Sequence, residues 1–398
     1  MATGMWNATA IPPADFVKKS FASMITRLMP NGSAPLFGLT SMVGTKTCLQ
    51  FEHGFFTKTM IFPEAKIDGA LTTETTFVFD TTANLLPGMI LRVPATGELV
   101  AINSVVDTTD ATVTRAVGTV ALGNVADDAV LYQVGNAYEE GSDRPTNQYI
   151  LPARVTNYTQ IFRNSWSLTG TALETQVIAG DTNVSENRQE CAMFHAADIE
   201  KALFWGQKFL GTRNNQPFHT MNGLHNSIAT YASGNITTLG ATTTYTQLET
   251  ALDPVFNQNT DPKISNERLI FVGGTARRVL NNIGRLNGTY QLQDGQTSYG
   301  LQFQQFKIAR GTFRIIEHPL FNSNTSWAAM GVVVDLSSFR LAYLGNRKTQ
   351  SREYNMDGTP VDNGIDAVGG TLTTEVTCEI TNPAASAVLF GFTAAAVG

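Results

Sequence analysis

Residues 185–205 contain neither proline nor glycine, and this uninterrupted stretch is the feature that most limits how the chain can fold. Strong helix formers dominate it, Ser185 can cap its N-terminus, and Glu186 favours the first turn. Gly206 follows directly. We therefore predict a long structural helix of about six turns, roughly 30 Å in length.

One face of this helix carries Cys191, His195 and Asp198, which stand four and three residues apart. A cysteine and a histidine at that spacing can both bind a metal ion. A tetrahedral site needs a fourth ligand, however, and no residue nearby in the sequence supplies one. Apolar residues also surround His195. We interpret this face as a packing surface, with Cys191 as a small apolar filler.

The stretch GLTSMVGTKT at 38–47 has some features of a phosphate-binding loop. Such a loop places four residues between its glycines and a lysine directly after the second glycine. Here five residues separate Gly38 from Gly44, and Thr45 stands before Lys46. We therefore predict no phosphate site at this position.

The stretch FVGGTARRVL at 271–280 predicts a strand, the pair Gly273–Gly274, and a helix that carries Arg277 and Arg278. A helix N-terminus can hold an anion. Two adjacent glycines do not form the pattern of a dinucleotide-binding turn, and no acidic partner follows. We interpret the stretch as a tight turn between a strand and a helix.

The remaining candidate groups form no catalytic pattern. His219 and His225 lie in a turn-rich stretch without metal-site spacing, while Glu139, Glu140 and Asp143 cluster in a polar linker. Neither G-x-S-x-G nor H-E-x-x-H occurs. We therefore predict no catalytic residue, no cofactor-binding residue and no metal ligand.

Charged residues make up 15% of the chain, against roughly 25% in average soluble domains. Interface centres are depleted in charge, so this surface suits burial against other subunits, although an ordinary threonine-rich β domain gives a similar composition. The formal net charge of −6 argues against attachment to DNA or to an acidic membrane through a basic surface.

Three cysteines, Cys48, Cys191 and Cys378, are widely spaced and form no CxxC pair. We interpret them as buried thiols in a reducing compartment. No apolar run approaches the length of a membrane span, and no signal peptide opens the sequence. We therefore expect no contact with a membrane.

The first 50 residues are predicted to form an arm. One amphipathic helix, 14–28, cannot form a core of its own, so we expect it to dock on the same subunit or on a neighbour. If it docks on a neighbour, a chain without residues 1–50 should remain folded but assemble poorly; if the arm belongs to the core of its own subunit, the truncated chain should unfold. The apolar residues at helical spacing are Val17, Phe21, Met24 and Leu28.

Residues 84–135 have a pattern of their own. Four short apolar strand candidates are separated by turn signals, which predicts a small antiparallel barrel or sandwich. We expect its ends, Asn84 and Gly135, to lie close together. The residues predicted to form its core are Leu91, Val93, Val100, Ile102, Val113, Val117, Leu131 and Val134.

Residues 241–320 alternate between helix and strand patterns, which is typical of a compact α/β or α+β unit. Strand patterns return from residue 327, and the last of them, TLTTEVTCEITN, alternates strictly. Its predicted faces are Leu372, Thr374, Val376, Cys378 and Ile380 on one side, and Thr373, Glu375, Thr377 and Glu379 on the other.

The order of these parts resembles that of the major capsid proteins of tailed bacteriophages with the Hong Kong 97-type fold. An arm is followed by a β excursion, a long helix, an α/β unit and returning strands. The strings that carry the resemblance cover most of the chain: NGSAPLFGLTS, FFTKTMIF, NAYEEGSDRPT, YTQIFRNSWSLTGTA, HAADIEKALFWGQK, FVGGTARRVLN and TLTTEVTCEITNPAASAVLFGF.

The resemblance implies an α+β fold with an extended β loop that lies over a neighbouring subunit and carries a small barrel-like insert. The implied parts are an N-terminal arm, 1–54; the extended loop, 55–152, with the insert at 84–135; a peripheral domain, 153–232 and 335–398, with a spine helix at about 185–209; and an axial domain, 233–334.

The resemblance also implies a structural, non-enzymatic subunit. Copies of it would form hexamers and pentamers of an icosahedral head shell around a double-stranded DNA genome, enclosed without sequence-specific binding. Separate scaffolding, portal and decoration proteins are the other expected partners. The protein would be made in the host cytoplasm and end in the virion.

Two other classes stay open on the sequence alone. One is a tail, fibre or surface-binding structural protein, whose threonine-rich strands would look similar. The other is an enzyme with an unrecognised site, for example at Gly273–Gly274. Particle size separates them, because a capsid protein gives large uniform shells and an enzyme gives small oligomers.

Overall fold

The computed structural model describes most of the chain, in two compact units. One unit is Phe56–Arg154, and the other combines the segments up to Phe55 and from Val155 onward. The predicted helix 14–28 lies outside the described residues. The described residues are 34–58, 64–145, 147, 149, 151–175, 184–257, 266–286, 297–298, 301–302, 304–355 and 364–395.

The unit Phe56–Arg154 is built around a small antiparallel barrel of six strands. An isolated bridge between Ile67 and Phe79 joins the two ends of the strand order and closes the sheet. Closure removes the free edges that could pair with other chains. The strands, in the order in which they pair, are Glu64–Lys66, Val130–Asn136, Met89–Arg92, Leu99–Val105, Asp110–Thr114 and Thr76–Val78.

Apolar side chains from all six strands fill the barrel, and Phe77 and Leu91 are completely buried there. The predicted barrel is therefore confirmed, but its predicted start at residue 84 is wrong. The barrel begins at Glu64, because Phe77 and Phe79 supply part of a core that residues 84–135 cannot complete alone.

Two residues predicted for the barrel core lie outside it. Val117 is half-buried, and Val134 is 55% exposed. The pairing of the strand that contains Val134 skips from Gln133 to Gly135. Val134 is thus the extra residue of a β-bulge, and a bulge turns a side chain out of an otherwise regular alternation.

The larger unit contains a five-stranded sheet that packs against the long helix. This helix runs from Val184 to Trp205, which confirms the predicted stretch 185–205. It does not extend to residue 209, because a strand begins at Phe209. The strands of the sheet, in pairing order, are Thr45–Cys48, Phe339–Leu344, Ala367–Ile380 and Gln160–Thr169, with Gln350–Tyr354 also paired to Ala367–Ile380.

The long helix ends where another segment passes close to its backbone. The N–H of Gly223 donates to the carbonyl oxygen of Gly206 at 2.8 Å. A Cβ atom on Gly206 would lie 2.6 Å from the carbonyl oxygen of Ala202 and 2.7 Å from that of Met221. Only glycine permits this approach.

A six-stranded mixed sheet forms the second sheet of the larger unit. Its strand Ala387–Phe390 pairs with Met330–Val334 on one side and with Ile236–Thr238 on the other. The predicted boundary between 233–334 and 335–398 therefore cuts across this sheet. The strands, in pairing order, are Ile236–Thr238, Ala387–Phe390, Met330–Val334, Glu267–Val272, Gly311–Glu317 and Gln304–Ile308.

The remaining described elements are short strands and helices. The two-stranded pairs are Glu52–Thr57 with Ala153–Tyr158, Phe209–Arg213 with Gln216–Thr220, and Thr297–Ser298 with Leu301–Gln302. The other α-helices are Pro35–Val43, Gly170–Glu174, Leu224–Tyr231, Tyr245–Leu252, Gly274–Leu286 and Thr325–Ala328. The 3₁₀ helices are Ser233–Asn235, Asp253–Phe256, Pro319–Ser323 and Pro383–Ala385. Within the described ranges, no helix is both long and apolar enough to cross a bilayer.

Part of the predicted arm belongs to the core of its own subunit. The helix Pro35–Val43 buries Leu36 completely in the main apolar cluster. The strand Thr45–Cys48 pairs in parallel with Phe339–Leu344. Removal of residues 1–50 would take away core side chains and an edge strand, so of the two outcomes we now expect the truncated chain to unfold.

The strand Ala367–Ile380 follows its predicted alternation, but both of its faces are buried in its C-terminal half. Glu375 and Glu379 are each 2% exposed, and Thr377 is completely buried. A buried carboxylate is costly unless charged or hydrogen-bonding groups surround it. The polar face of this strand must therefore have partners within the protein.

Candidate functional site

Cys191, the first of the candidate metal ligands, packs against Trp166 and Leu372 in a small apolar cluster. Burial raises the pKa of its thiol. Metal binding and nucleophilic attack both require the thiolate, so this environment suits packing rather than chemistry.

Both ring nitrogens of His195 contact polar side chains of the five-stranded sheet. Nδ1 lies 2.7 Å from Oδ1 of Asn164, and Nε2 lies 2.7 Å from Oγ1 of Thr374. Because an amide oxygen only accepts, Nδ1 carries the hydrogen and Nε2 accepts from Thr374. Nδ2 of Asn164 in turn donates to Asp198 at 3.1 Å.

Burial lowers the pKa of His195, and the nearby charge of Asp198 only partly opposes this. The neutral ring thus joins the long helix to the sheet through hydrogen bonds. Over the ranges that the structure describes, no cluster of three or more His, Cys, Asp or Glu side chains is arranged to hold a metal ion. Asn164 connects His195 with Asp198 through these two hydrogen bonds.

A buried carboxylate on the long helix caps the helix Pro35–Val43. Oε1 of Glu200 accepts from the N–H of Leu36 at 2.9 Å, and Oε2 accepts from the N–H of Phe37 at 2.7 Å. These first-turn N–H groups have no partner within their own helix. A negative charge is also favourable at a helix N-terminus.

His318 holds the same carboxylate from a third segment. Its Nδ1 accepts from the N–H of Leu320 at 3.2 Å, so Nε2 carries the hydrogen that it donates to Glu200 at 2.7 Å. The imidazole packs edge-on against Phe204 and stacks on Phe321. Glu200 therefore links three distant parts of the chain in a site closed to water.

The opposite face of the five-stranded sheet carries a second charged cluster around Glu379. Nζ of Lys46 lies 2.6 Å from Oε1 of Glu379, and Nε2 of His53 lies 2.9 Å from Oε2. Hydrogen bonds with Cys48 and with Glu379 raise the pKa of His53 to about 9. Hydrogen bonds from His53 and Lys46 hold the pKa of Glu379 below its ordinary value despite its burial.

Glu375 lies on the same face of the strand Ala367–Ile380, four residues before Glu379. Oε1 accepts from the hydroxyl of Thr159 at 2.8 Å, and Oε2 lies 3.0 Å from Nε of Arg347. The strand Ala367–Ile380 is thus connected through Glu379 to the segment with Lys46 and His53, and through Glu375 to Thr159 and Arg347. The two carboxylates stabilise this arrangement only while their partners remain in place.

The barrel has a buried ion pair of its own between Glu98 and Arg115. Both side chains are almost completely shielded, and Nη2 of Arg115 lies 2.7 Å from Oε2 of Glu98. The N–H groups of Ala116 and Gly123 donate to the same carboxylate at 3.1 Å. Burial opposes ionisation, but these hydrogen bonds outweigh it and lower the pKa of Glu98.

The N-terminus of the helix Gly274–Leu286 is occupied by the protein itself. Oδ1 of Asn322 accepts from the N–H of Gly274 at 2.7 Å, and Arg277 pairs with Glu317 at 2.7 Å. A Cβ atom on Gly273 would lie 2.5 Å from the backbone of Ala328. Gly273 therefore permits the backbone of Ala328 to pass close by, and the acidic partner of Arg277 is Glu317.

The other candidates are scattered. Gly38 lies inside the helix Pro35–Val43 and Gly44 directly after it. His219 contacts the carbonyl oxygen of Thr159, and His225 packs beside Trp205, where burial lowers its pKa. The structure does not bring these groups together. The residues of the linker cluster, Glu139, Glu140 and Asp143, are exposed.

Sequence reasoning missed the buried carboxylates Glu200, Glu375 and Glu379. Glu200 had a usable signal: Leu203 and Phe204, three and four residues later, lie on its face of the helix. The glutamates of the last strand had none, because an alternating polar face is the pattern of an exposed sheet surface.

Large apolar side chains are exposed on the larger unit. Phe194, on the long helix, is 65% exposed, and the hairpin strands Phe209–Arg213 and Gln216–Thr220 expose Phe209, Leu210 and Phe218. Exposed apolar groups that lie together mark surfaces for association. This chain therefore presents surfaces suited to burial against another protein.

Comparison with known proteins gives matches along nearly the whole chain. The family model described as SU10 major capsid protein matches residues 3–393. The major capsid protein of Pseudomonas phage PaMx41 is 36% identical over 400 residues, which cover 98% of this chain and 95% of that protein.

Solved structures also overlap with the chain. A structure of Mycobacterium phage Cain matches with 8% identity and a TM-score of 0.48, over 92% of this chain and 90% of that one. A structure of Mycobacterium phage Bobi matches with 8% identity and a TM-score of 0.48, over 95% and 96%.

Proposed function

The chain belongs to the SU10 major capsid protein family and is a structural component of a phage capsid shell; from that premise we propose that its copies assemble into an icosahedral head around a double-stranded DNA genome. Hexamers and pentamers are the units of such a shell. Heterologous contacts close rings when the rotation between neighbours permits it.

The exposed apolar surface of the hairpin Phe209–Arg213 and Gln216–Thr220 carries this proposal. Phe209 and Leu210 are 54% and 49% exposed, and the rings of Phe209 and Phe218 lie 6.2 Å apart. Residues of this kind lie inside most folded subunits. Burial against a neighbouring copy would remove them from water, and many such contacts per shell would reinforce one another.

We propose that the predicted parts have the roles that the resemblance implies. Residues 153–232 and 335–380 serve as the peripheral domain, residues 233–334 together with the strand Ala387–Phe390 as the axial domain, and residues 55–152 as the extended loop. The long helix beside a sheet supports the first role, and the separate compaction of Phe56–Arg154 supports the last. In this reading the fold is of the Hong Kong 97 type.

We also propose that the role of the chain is wholly structural. The groups that the sequence offered for chemistry, such as His195 and Arg277, make contacts within the fold. Its other partners are a separate scaffolding protein, a portal protein and a decoration protein. The chain is made in the host cytoplasm and encloses DNA without sequence-specific binding, in line with its net charge of −6.

Electron microscopy and analytical ultracentrifugation of the expressed protein, with and without the products of neighbouring genes, test the assembly. We expect large uniform shells from the wild type. Leu210→Asp should remain folded by circular dichroism but sediment as subunits or capsomers. Thr246→Asp, at an exposed polar position, is the matched control and should form shells. Small wild-type oligomers under every condition would contradict the proposal.

A further inference from the structure

A groove lined by arginines lies on the face of the five-stranded sheet away from the long helix. In the strand Ala367–Ile380, Leu372 and Thr374 face the long helix: Leu372 packs against Cys191, and Thr374 is hydrogen-bonded to His195. Their neighbours Thr371 and Thr373 point to the opposite face. There they line a groove of about 810 Å³.

Two arginines flank these threonines from the strands on either side. Arg163 pairs across the ladder with Thr373, and Arg352 pairs with Thr371. Cross-strand partners share a face of the sheet, so both side chains border the groove, as does Arg347. We call the surface formed by Arg163, Arg347, Arg352, Thr371 and Thr373 the arginine groove.

The charges of the arginine groove are not balanced within the described part of the subunit. Arg347 pairs with the buried Glu375, and Glu353 at the border pairs with Arg188. Arg163 and Arg352 are exposed, and among the described residues neither guanidinium group has an ion pair or a hydrogen bond. Two guanidinium groups thus remain available for carboxylates, which arginine binds in bidentate geometry.

The same chain carries a set of carboxylates that have no partner among the described residues. Glu139, Glu140 and Asp143 are exposed, and a turn closed by the Ser142 N–H and the Glu139 carbonyl oxygen holds them together. No described residue pairs with them, and only Arg144 beside them is basic. We call residues 138–143 the acidic turn.

We propose that the arginine groove receives the acidic turn of a second copy of this chain. The inference rests on the proposed self-assembly and names one contact within it. The two surfaces have opposite charge, and assembly supplies them in equal number. Each copy can therefore give one turn and accept another, which is the head-to-tail arrangement that closes a ring. Complementary charge of this kind fixes the register between subunits.

A nucleic acid is the other possible anionic occupant of the groove. The observations favour the acidic turn, because Arg347 is already paired with Glu375, and the two arginines that remain available match a short acidic segment rather than a continuous phosphate backbone. An acidic segment of three carboxylates fits a site with two available arginines. DNA binding is accordingly an outcome that the test must detect.

Charge reversal in each surface, and then in both, tests the proposal. The groove variant carries Arg163→Glu with Arg352→Glu, and the turn variant carries Glu139→Arg with Glu140→Arg. Each should raise the subunit concentration needed for assembly about tenfold, because like charges then face each other. The variant with all four changes should return to within about threefold of the wild type.

Arg278→Glu, at an exposed arginine on the helix Gly274–Leu286, is the control and should assemble like the wild type. Circular dichroism should show all variants folded. Normal assembly of the two reversed variants, or no recovery in the fourfold variant, would overturn the proposal while leaving self-assembly intact. Loss of duplex DNA binding by the groove variant, without recovery of assembly, would assign the groove to nucleic acid instead.

Discussion

At the scale of single residues, this fold depends on carboxylates that water does not reach. Glu200 caps a helix from another segment, Glu379 holds a lysine and a histidine, and Glu98 holds an arginine inside the barrel. Each would be costly alone, and each is satisfied by two or more donors. Their removal should therefore affect stability more than exposed charges do.

Glu200→Gln is the sharpest test of the helix cap. The amide keeps the shape but removes the charge that Leu36, Phe37 and His318 share. We expect the free energy of unfolding to fall by about 1–3 kcal/mol in urea titrations. Glu190→Gln, on an exposed side of the same helix, should change it little. Equal loss in both variants would mean that the cap contributes nothing specific.

His53 should make stability depend on pH on the alkaline side. Its pKa is raised from 6.5 to about 9 in the folded chain, so folding binds a proton more tightly. The stability that His53 contributes is fully present below pH 6.5 and is lost as the pH rises through about 9. The difference in melting temperature between the wild type and His53→Gln should shrink across that window.

His225→Gln is the control for this measurement, because burial lowers the pKa of His225 and moves its titration below the window. The gap between that variant and the wild type should stay constant from pH 6.5 to 9. Parallel pH profiles of His53→Gln and the wild type would show that the contact with Glu379 does not couple to folding.

At the scale of elements, the sequence predicted those helices and strands whose ends are set by residues within or beside them. The long helix was predicted almost to the residue, because 185–205 lacks proline and glycine and Gly206 ends it. The helix Pro35–Val43 was not found, because its cap comes from Glu200, more than 160 residues away. Four of the six barrel strands were found, but Glu64–Lys66 and Thr76–Val78 lie before the predicted insert, and the bulge at Val134 depends on the partner strand.

The candidate site illustrates the same limit. The packing interpretation of Cys191 follows from local apolar neighbours, and the structure places Cys191 among such residues. The partners of His195, Asn164 and Thr374, come from two strands that are distant in sequence. A spacing pattern within one helix contains no information about such residues, so sequence reasoning could describe the face but not its hydrogen bonds.

The helix Pro35–Val43 supplies the prediction at this scale. Leu36 is completely buried in the main core, so Leu36→Ala should lower the free energy of unfolding by about 2–5 kcal/mol. Met42→Ala, on the same helix but 61% exposed, should have almost no effect. Urea unfolding of the two variants is the measurement. Similar small effects would place this helix outside the core of its own subunit.

At the scale of the whole molecule, the barrel and the larger unit have separate apolar cores. Replacement of residues 64–136 by a short Gly/Ser linker should therefore leave the larger unit folded, because Glu64 and Tyr132 pair and the two ends of the barrel lie close together. Replacement of 85–134 should instead cause aggregation, since Phe77 and Phe79 would lose the rest of their core.

Circular dichroism and size-exclusion chromatography distinguish these two replacements. The longer one should keep the helix signal and a single monodisperse subunit peak, and shells made from it should melt at a lower temperature. The opposite ranking, with 85–134 tolerated and 64–136 not, would mean that the first two barrel strands belong to the larger unit.

The strand Ala387–Phe390, paired on both sides within the six-stranded sheet, has a consequence for synthesis on the ribosome. The barrel is complete once residue 136 has emerged, whereas this sheet must wait for a strand about 250 residues later. At typical elongation rates the delay is on the order of 10 to 50 s. We therefore expect the barrel to fold while translation continues, and the larger unit to complete its core only after the strand Ala387–Phe390 has emerged. We therefore expect that a nascent chain lacks the finished surfaces of the larger unit, and that polysomes making many copies side by side should not nucleate shells before the subunits are released.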